Sequence, residues 1–183
     1  MKLHLGCGKR FLPGFIHIDI EKFDHVDFLS PMHDLHAITD ASVEEIYSSH
    51  SFEYYDRVES QKVLREWFRV MAPGGTLYLT VPDFESLLKI YELTGKLDCI
   101  IGPLFGRWHN SNLNETIYHK TVYDKRGLWK ILSEAGFMDL REFNPIEYLY
   151  SISEEYDDYS LAFYPHMDPS GIQVSLAVAA TKH

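Results

Sequence analysis

Cysteine is almost absent. Cys7 and Cys99 are the only two in 183 residues, a number and separation that fit neither a disulfide framework nor a zinc-ligand spacing. A reducing, cytoplasmic setting is the expectation. Basic charge is also scarce: 17 Lys and Arg face 27 Asp and Glu, a formal net charge of −10. That field repels phosphate backbones and argues against DNA or RNA as a partner. The sequence has no apolar run of about 18 residues and no basic-then-apolar leader, so neither a membrane span nor export is expected. Repeats and low-complexity tracts are missing too. What is plentiful is core material, 45% hydrophobic with 14% aromatic residues, enough for one folded domain over residues 1–183.

The first twenty residues organise the rest. Lys2-Leu3-His4-Leu5 reads as a strand that runs into Gly6-Cys7-Gly8, and Phe15-Ile16-His17-Ile18-Asp19-Ile20 reads as a second strand carrying one acid. Two strands joined through a glycine turn begin an α/β sheet. Gly6 and Gly8 leave no side chain between the main chain and a ligand. Asp19 then falls at the carboxyl end of the second strand, where open α/β sheets bind ligands and a carboxylate meets a ribose diol. A dinucleotide turn would need a third glycine where Phe11 stands, and its acid would come about 20 residues on rather than 13.

Leu3-His4-Leu5-Gly6-Cys7-Gly8 with Asp19 instead resembles the cofactor loop of class I S-adenosylmethionine-dependent methyltransferases. That family has an acid and a third glycine where this chain has His4 and Arg10. A second passage, residues 64–77, Leu-Arg-Glu-Trp-Phe-Arg-Val-Met-Ala-Pro-Gly-Gly-Thr-Leu, is similar to the family's helix, turn and fifth strand. Its Glu66 and Arg69 read as scaffold. The resemblance implies a Rossmann-like doubly wound sheet of seven strands, order 3-2-1-4-5-7-6 with strand 7 antiparallel, here with a shortened first helix. It implies S-adenosylmethionine as cofactor and S-adenosylhomocysteine as product, held by Gly6, Cys7, Gly8, Asp19, Ile20 and Ser49. Asp34 is expected at the adenine amino group, with Leu35 against the ring.

Along the rest of the chain, residues 26–29 read as a brief third strand and residues 42–50 as a fourth, ending in Ser48-Ser49-His50. Phe52-Glu53-Tyr54 resembles the family's apolar-Glu-His, with tyrosine in place of the histidine. Leu64, Trp67, Phe68 and Met71 recur at helical spacing within residues 57–72, and Pro73-Gly74-Gly75 stops that helix before a strand at 76–81. Asp83 caps a helix with the stripe Phe84, Leu87, Leu88 and Tyr91, and Asp124 opens another. Residues 96–120 lose periodicity and read as a lid insertion or a plain surface loop. His33-x-x-His36 beside Asp34 is read as surface histidines rather than a metal site. Residues 138–143 and 173–180 complete the sheet. The acidic, tyrosine-rich stretch 146–170 between them is read as a solvated loop with aromatic anchors, against a site lining or a homodimer surface.

The expected reaction is in-line methyl transfer to a small-molecule acceptor, with His50 and then His119 as the candidate bases. His50 reads equally as a packing residue. Competing readings are a non-catalytic cofactor-binding or scaffold protein of the same fold, and thirdly an NAD-dependent oxidoreductase.

Overall fold

In the computed structural model, which describes residues 1–166 and 168–183, the glycine-flanked strands β1 (Lys2–Leu5) and β2 (Ile16–Asp19) pair in parallel, Leu3 opposite Ile16 and Leu5 opposite Ile18. The two-residue β3 (Phe28–Leu29) extends one edge. On the other side of β1 follow β4 (Val43–Ser49) and, after helix α1 (Glu59–Val70), β5 (Met71–Pro82), both parallel. Helix α2 (Phe84–Thr94), the short α3 (Ile101–Phe105) and a hairpin, β6 (Trp108–Asn110) with β7 (Glu115–Ile117), come next. Helix α4 (Lys125–Glu134) leads into β8 (Met138–Glu142) at the far edge. The chain then runs through α5 (Pro145–Tyr150) and a small ladder, β9 (Phe163–Tyr164) with β10 (Ile172–Gln173). It ends in β11 (Ser175–Thr181), antiparallel to both β5 and β8. The sheet order β3-β2-β1-β4-β5-β11-β8 is the expected seven-stranded one.

Period-2 alternation in β1 sends Leu3 and Leu5 into the main core, which α1 and α4 cover with Val63, Leu64, Trp67, Leu128 and Leu132. Its alternate residue, His4, does not meet water. It is buried with His17, because the opposite face carries a second cluster of Leu12, Phe15, Tyr47, Leu149 and Tyr156. Residues 9–15 hold only turns, so α5 and the segment after it supply the cover that a full first helix would give. The stretch 146–170 is therefore not a solvated loop: Leu149, Tyr156, Asp158 and Ser160 are buried, while Glu154, Glu155 and Asp157 remain outside.

Several local expectations shift. Helix α1 passes directly into β5, and Pro73-Gly74-Gly75 forms a bulge inside that strand rather than a separate turn: pairing jumps from Val43–Met71 to Glu45–Thr76, and Gly74 has φ 81°. In α2 the inward residues are Leu87 and Ile90, whereas Leu88 and Tyr91 face outward. Asp83 caps that helix through Glu85 N and Ser86 Oγ, and Gly95 ends it at φ 64°. The segment 96–120 is not irregular throughout. Asn110 Oδ1 accepts from Asn112 N and Leu113 N, and this asparagine turn closes the β6–β7 hairpin. Among the described residues, no helix is long and apolar enough to cross a membrane.

Candidate active site

The parallel strands β1, β2 and β4 end at one edge of the sheet, and there a cavity of about 1100 Å³ opens. The glycine turn, Asp19, Ile20, Met32 and Ser49 to Ser51 line its inner wall; Trp108, Tyr118 and His119 come from the segment above, and Asp158 and Tyr159 from the C-terminal insertion. The sheet thus brings Gly6, Cys7, Gly8, Asp19, Ile20, Ser49, His50 and His119 to one space.

Gly6 and Gly8 both lie in the left-handed region, φ 63° and 52°. A Cβ on Gly6 would sit 2.5 Å from Ser51 Cβ, so the close approach of the turn to the end of β4 depends on its absence. Gly6 N donates to Ile18 O at 2.9 Å, and Gly8 N to Asp19 Oδ2 at 2.8 Å. The second Asp19 oxygen accepts from Glu21 N at 2.8 Å. Asp19 therefore locks the turn against β2, and each of its oxygens keeps a second lone pair for a ligand hydroxyl. Burial pushes its carboxyl above the ordinary value, opposed by those two backbone donors.

Asp34 and Leu35 are not brought to the cleft. Leu35 is in the core, its N–H donating to Glu66 Oε1 at 2.8 Å, while Arg69 reaches Leu35 O and Ile38 O from the same helix and Trp67 Nε1 holds Met32 O. These anchors from α1 fix the 32–38 loop so that Pro31 and Met32 line the cavity. Asp34 lies exposed, its carboxylate accepting from His36 Nδ1 at 2.8 Å and held below the ordinary range by that bond.

Behind the cavity wall sits a group that the sequence did not single out. Glu53 is 1% exposed and neither carboxylate oxygen has a hydrogen-bond partner. Its Oε1 lies 3.6 Å from His50 Nδ1 and 3.6 Å from His119 Nε2. The outer ring nitrogens are committed. His119 Nδ1 is 3.0 Å from Pro103 O, and a carbonyl only accepts, so that nitrogen carries a proton. His50 Nε2 is 2.7 Å from Ser175 Oγ, whose own proton goes to Tyr159 O; His50 Nε2 is the donor there as well. Both neutral imidazoles consequently turn lone pairs toward Glu53. Two lone pairs facing an ionised carboxylate repel, so the cluster holds one further proton. Burial raises the Glu53 carboxyl to about 8, lowers His50 to about 4 and lowers His119, which puts that proton on Glu53.

His119 packs edge-on against Tyr54, ring centroids 4.7 Å apart, and Lys120 N and Thr121 N both donate to the Glu53 carbonyl. Gly106 leaves the room: a Cβ there would come within 2.2 Å of His119 Nε2. At the other end of the segment, Trp108 Nε1 and Ser111 N bind the two oxygens of buried Glu21. Lys120 itself turns out to Glu59 at 2.9 Å. The roof is tied to the sheet edge at both ends.

Residues 13–79 match the family model described as "Methyltransferase domain". No curated protein matches the chain in sequence. Among solved structures, the fold is similar to an S-adenosylmethionine-dependent methyltransferase from Archaeoglobus fulgidus, with 17% identity, TM-score 0.57 and coverage of 99% of this chain and 85% of that one. It is also similar to one from Methanosarcina mazei, with 16% identity, TM-score 0.56 and coverage of 99% and 91%. A third is the Burkholderia thailandensis 1,6-didemethyltoxoflavin-N1-methyltransferase, solved with 1,6-didemethyltoxoflavin and S-adenosylhomocysteine bound, with 12% identity, TM-score 0.55 and coverage of 99% and 70%. Residues 13–79 thus match a methyltransferase domain model, and over its whole length the chain has the fold of S-adenosylmethionine-dependent methyltransferases.

Proposed function

We propose that the protein transfers the methyl group of S-adenosylmethionine to a small-molecule acceptor held beneath the 96–120 segment. One observation carries this reading: a single cavity of about 1100 Å³ joins the glycine turn and Asp19 to His50, His119 and the roof. A pocket for one drug-sized ligand runs to about 300–1000 Å³, so this one has room for a cofactor and a modest second molecule. Gly6, Cys7, Gly8, Asp19, Ile20 and Ser49 hold the cofactor, with Asp19 on the ribose hydroxyls. Met32 takes the place at the cavity wall that Asp34 and Leu35 do not occupy.

When bound, the cofactor supplies an electrophilic methyl group on a positively charged sulfur. The protein's part is to align the acceptor for in-line attack and to exclude water. Trp108, Tyr118 and Tyr159 provide an aromatic cover, and the ties through Glu21 and Glu53 keep it in place. For a hydroxyl or amine acceptor, His50 and His119 on the cavity wall are the candidate proton acceptors. Incubation of the protein with methyl-labelled S-adenosylmethionine and fractionated small-molecule extracts tests the reading. Label should appear in a low-mass product. Saturable cofactor binding with no transfer to any fraction would favour a cofactor-binding protein without turnover.

A further inference from the structure

Glu21, a buried acid just past the end of β2, holds two parts of the chain at once. Its backbone N–H donates to Asp19 Oδ1 at 2.8 Å. Its carboxylate accepts from Trp108 Nε1 at 2.7 Å and from Ser111 N at 3.1 Å, both on the hairpin above. Burial would raise this carboxyl, but the donors on Ser111 and Trp108, with the charge of Lys9, hold it below the ordinary value.

Trp108 and Asp19 span the same pair of residues. The two oxygens of Asp19 take the N–H groups of Gly8 and Glu21. The indole donates to Glu21 through Nε1, and its far corner, Cη2, lies 3.8 Å from where a Cβ on Gly8 would stand. It therefore reaches from the end of β2 to the glycine turn alongside the carboxylate, and both groups line the same cavity.

The hairpin itself is held lightly. β6 and β7 pair with each other, apart from the seven-stranded sheet. His109 meets Thr116 across them, and Asn110 closes the turn. Among the described residues, the only hydrogen bonds from residues 108–117 to the rest of the chain are the two to Glu21. The segment leading in carries Gly106 in the left-handed region, φ 53°. A strand pair fastened by one side chain can open without breaking the core.

We infer that Glu21 is a positioning residue that closes the β6–β7 hairpin over the cofactor, its N–H setting Asp19 against the ribose and its carboxylate setting the Trp108 indole against the same nucleoside. Release of that carboxylate opens the lid. This rests on the cofactor reading above and adds to it a function for the hairpin, which is cofactor retention. The acceptor is left to the 118–120 end of the segment.

The test follows S-adenosylhomocysteine on immobilised protein by surface plasmon resonance, with hydrogen exchange of the 108–117 amides measured in parallel. In wild type the ligand should slow exchange across the hairpin about tenfold. Glu21→Gln keeps the backbone donor to Asp19 and the size of the side chain, but turns an amide N–H toward one of the two hairpin donors. It should speed dissociation about tenfold without slowing association, the signature of a loosened lid rather than a damaged site. Trp108→Phe keeps an aromatic ring, lacks the Nε1 donor and should show the same split. Dissociation at the wild-type rate in both variants would overturn the assignment. Slower association in both would make Glu21 and Trp108 structural residues and overturn it as well. Failure of wild type to bind S-adenosylhomocysteine would overturn the cofactor reading along with it. Binding by wild type with no protection of the hairpin amides would overturn the lid alone.

Discussion

His119 Nε2 and His50 Nδ1 each lie 3.6 Å from Glu53 Oε1, so the segment above the cleft and the end of β4 meet at one buried carboxyl group that has no hydrogen-bond partner among the described residues. The Glu53 carboxyl is raised by burial from 4.5 to about 8, so the folded protein holds a proton there that the unfolded chain gives up above pH 4.5. The native state binds more protons across that window, and the stability contributed is complete at low pH and declines from about pH 4.5 up through 8. One proton of difference gives a slope of about 1.4 kcal/mol per pH unit at most. Glu53→Gln keeps two donors between the lone pairs of His50 and His119 and removes the titration. Urea unfolding measured from pH 5.5 to 8 should show this variant gaining on wild type as pH rises. A pH-independent difference would mean that Glu53 is ionised in the fold.

In the proposed reaction, His50 and His119 face the acceptor, apart from the cofactor contacts proposed for Gly6, Gly8 and Asp19. His50→Ala and His119→Ala should each depress methyl transfer about 10²- to 10⁴-fold, the range for loss of a positioned proton acceptor. Cofactor affinity should stay close to wild type. A tenfold loss of S-adenosylhomocysteine binding in either variant would place that histidine on the cofactor instead.

The strands and helices were legible because their signals are local. The glycine turn between two short apolar runs, Asp83 and Asp124 before periodic helices, and Pro73-Gly74-Gly75 before a β-branched run each declare themselves within a dozen residues. The cavity lining was legible at the glycine turn, at strand ends, as for Asp19, Ser49 and His50, and at His119 in the aperiodic segment. Glu53 and Asp158 were not singled out because key contacts of each cross long separations. Asp158 meets Ser49 109 residues away. Asp34 misled because the 31–35 loop is steered by Glu66, Arg69 and Trp67 on a later helix, which no local pattern reveals.

Asp19 and Asp34 make a matched pair for calorimetry. Asp19→Ala should cost about 1.5–3 kcal/mol, roughly 10- to 150-fold in S-adenosylhomocysteine affinity, since bonds to a charged group are lost. Asp34→Ala should bind as wild type, because its carboxylate is turned to His36 on the exposed side of the loop. Reversed effects would return the adenine contact to Asp34 and remove Asp19 from the ribose.

Gly6→Ala tests the turn itself. The added Cβ would lie 2.5 Å from Ser51 Cβ at φ 63°, with strain and collision acting together. Stability should fall by about 1–3 kcal/mol and cofactor binding should be lost. Gly14→Ala, where nothing stands within 4 Å but φ is 81°, separates the two causes and should cost stability without abolishing binding.

The most direct measurement is a crystal structure of the protein with S-adenosylhomocysteine. The account predicts density inside the cavity, with the ribose hydroxyls on Asp19 and the rest of the cofactor along Gly6, Gly8 and Ser49. Crystals soaked to saturation that show the ligand elsewhere, or leave this cavity with solvent alone, would contradict it.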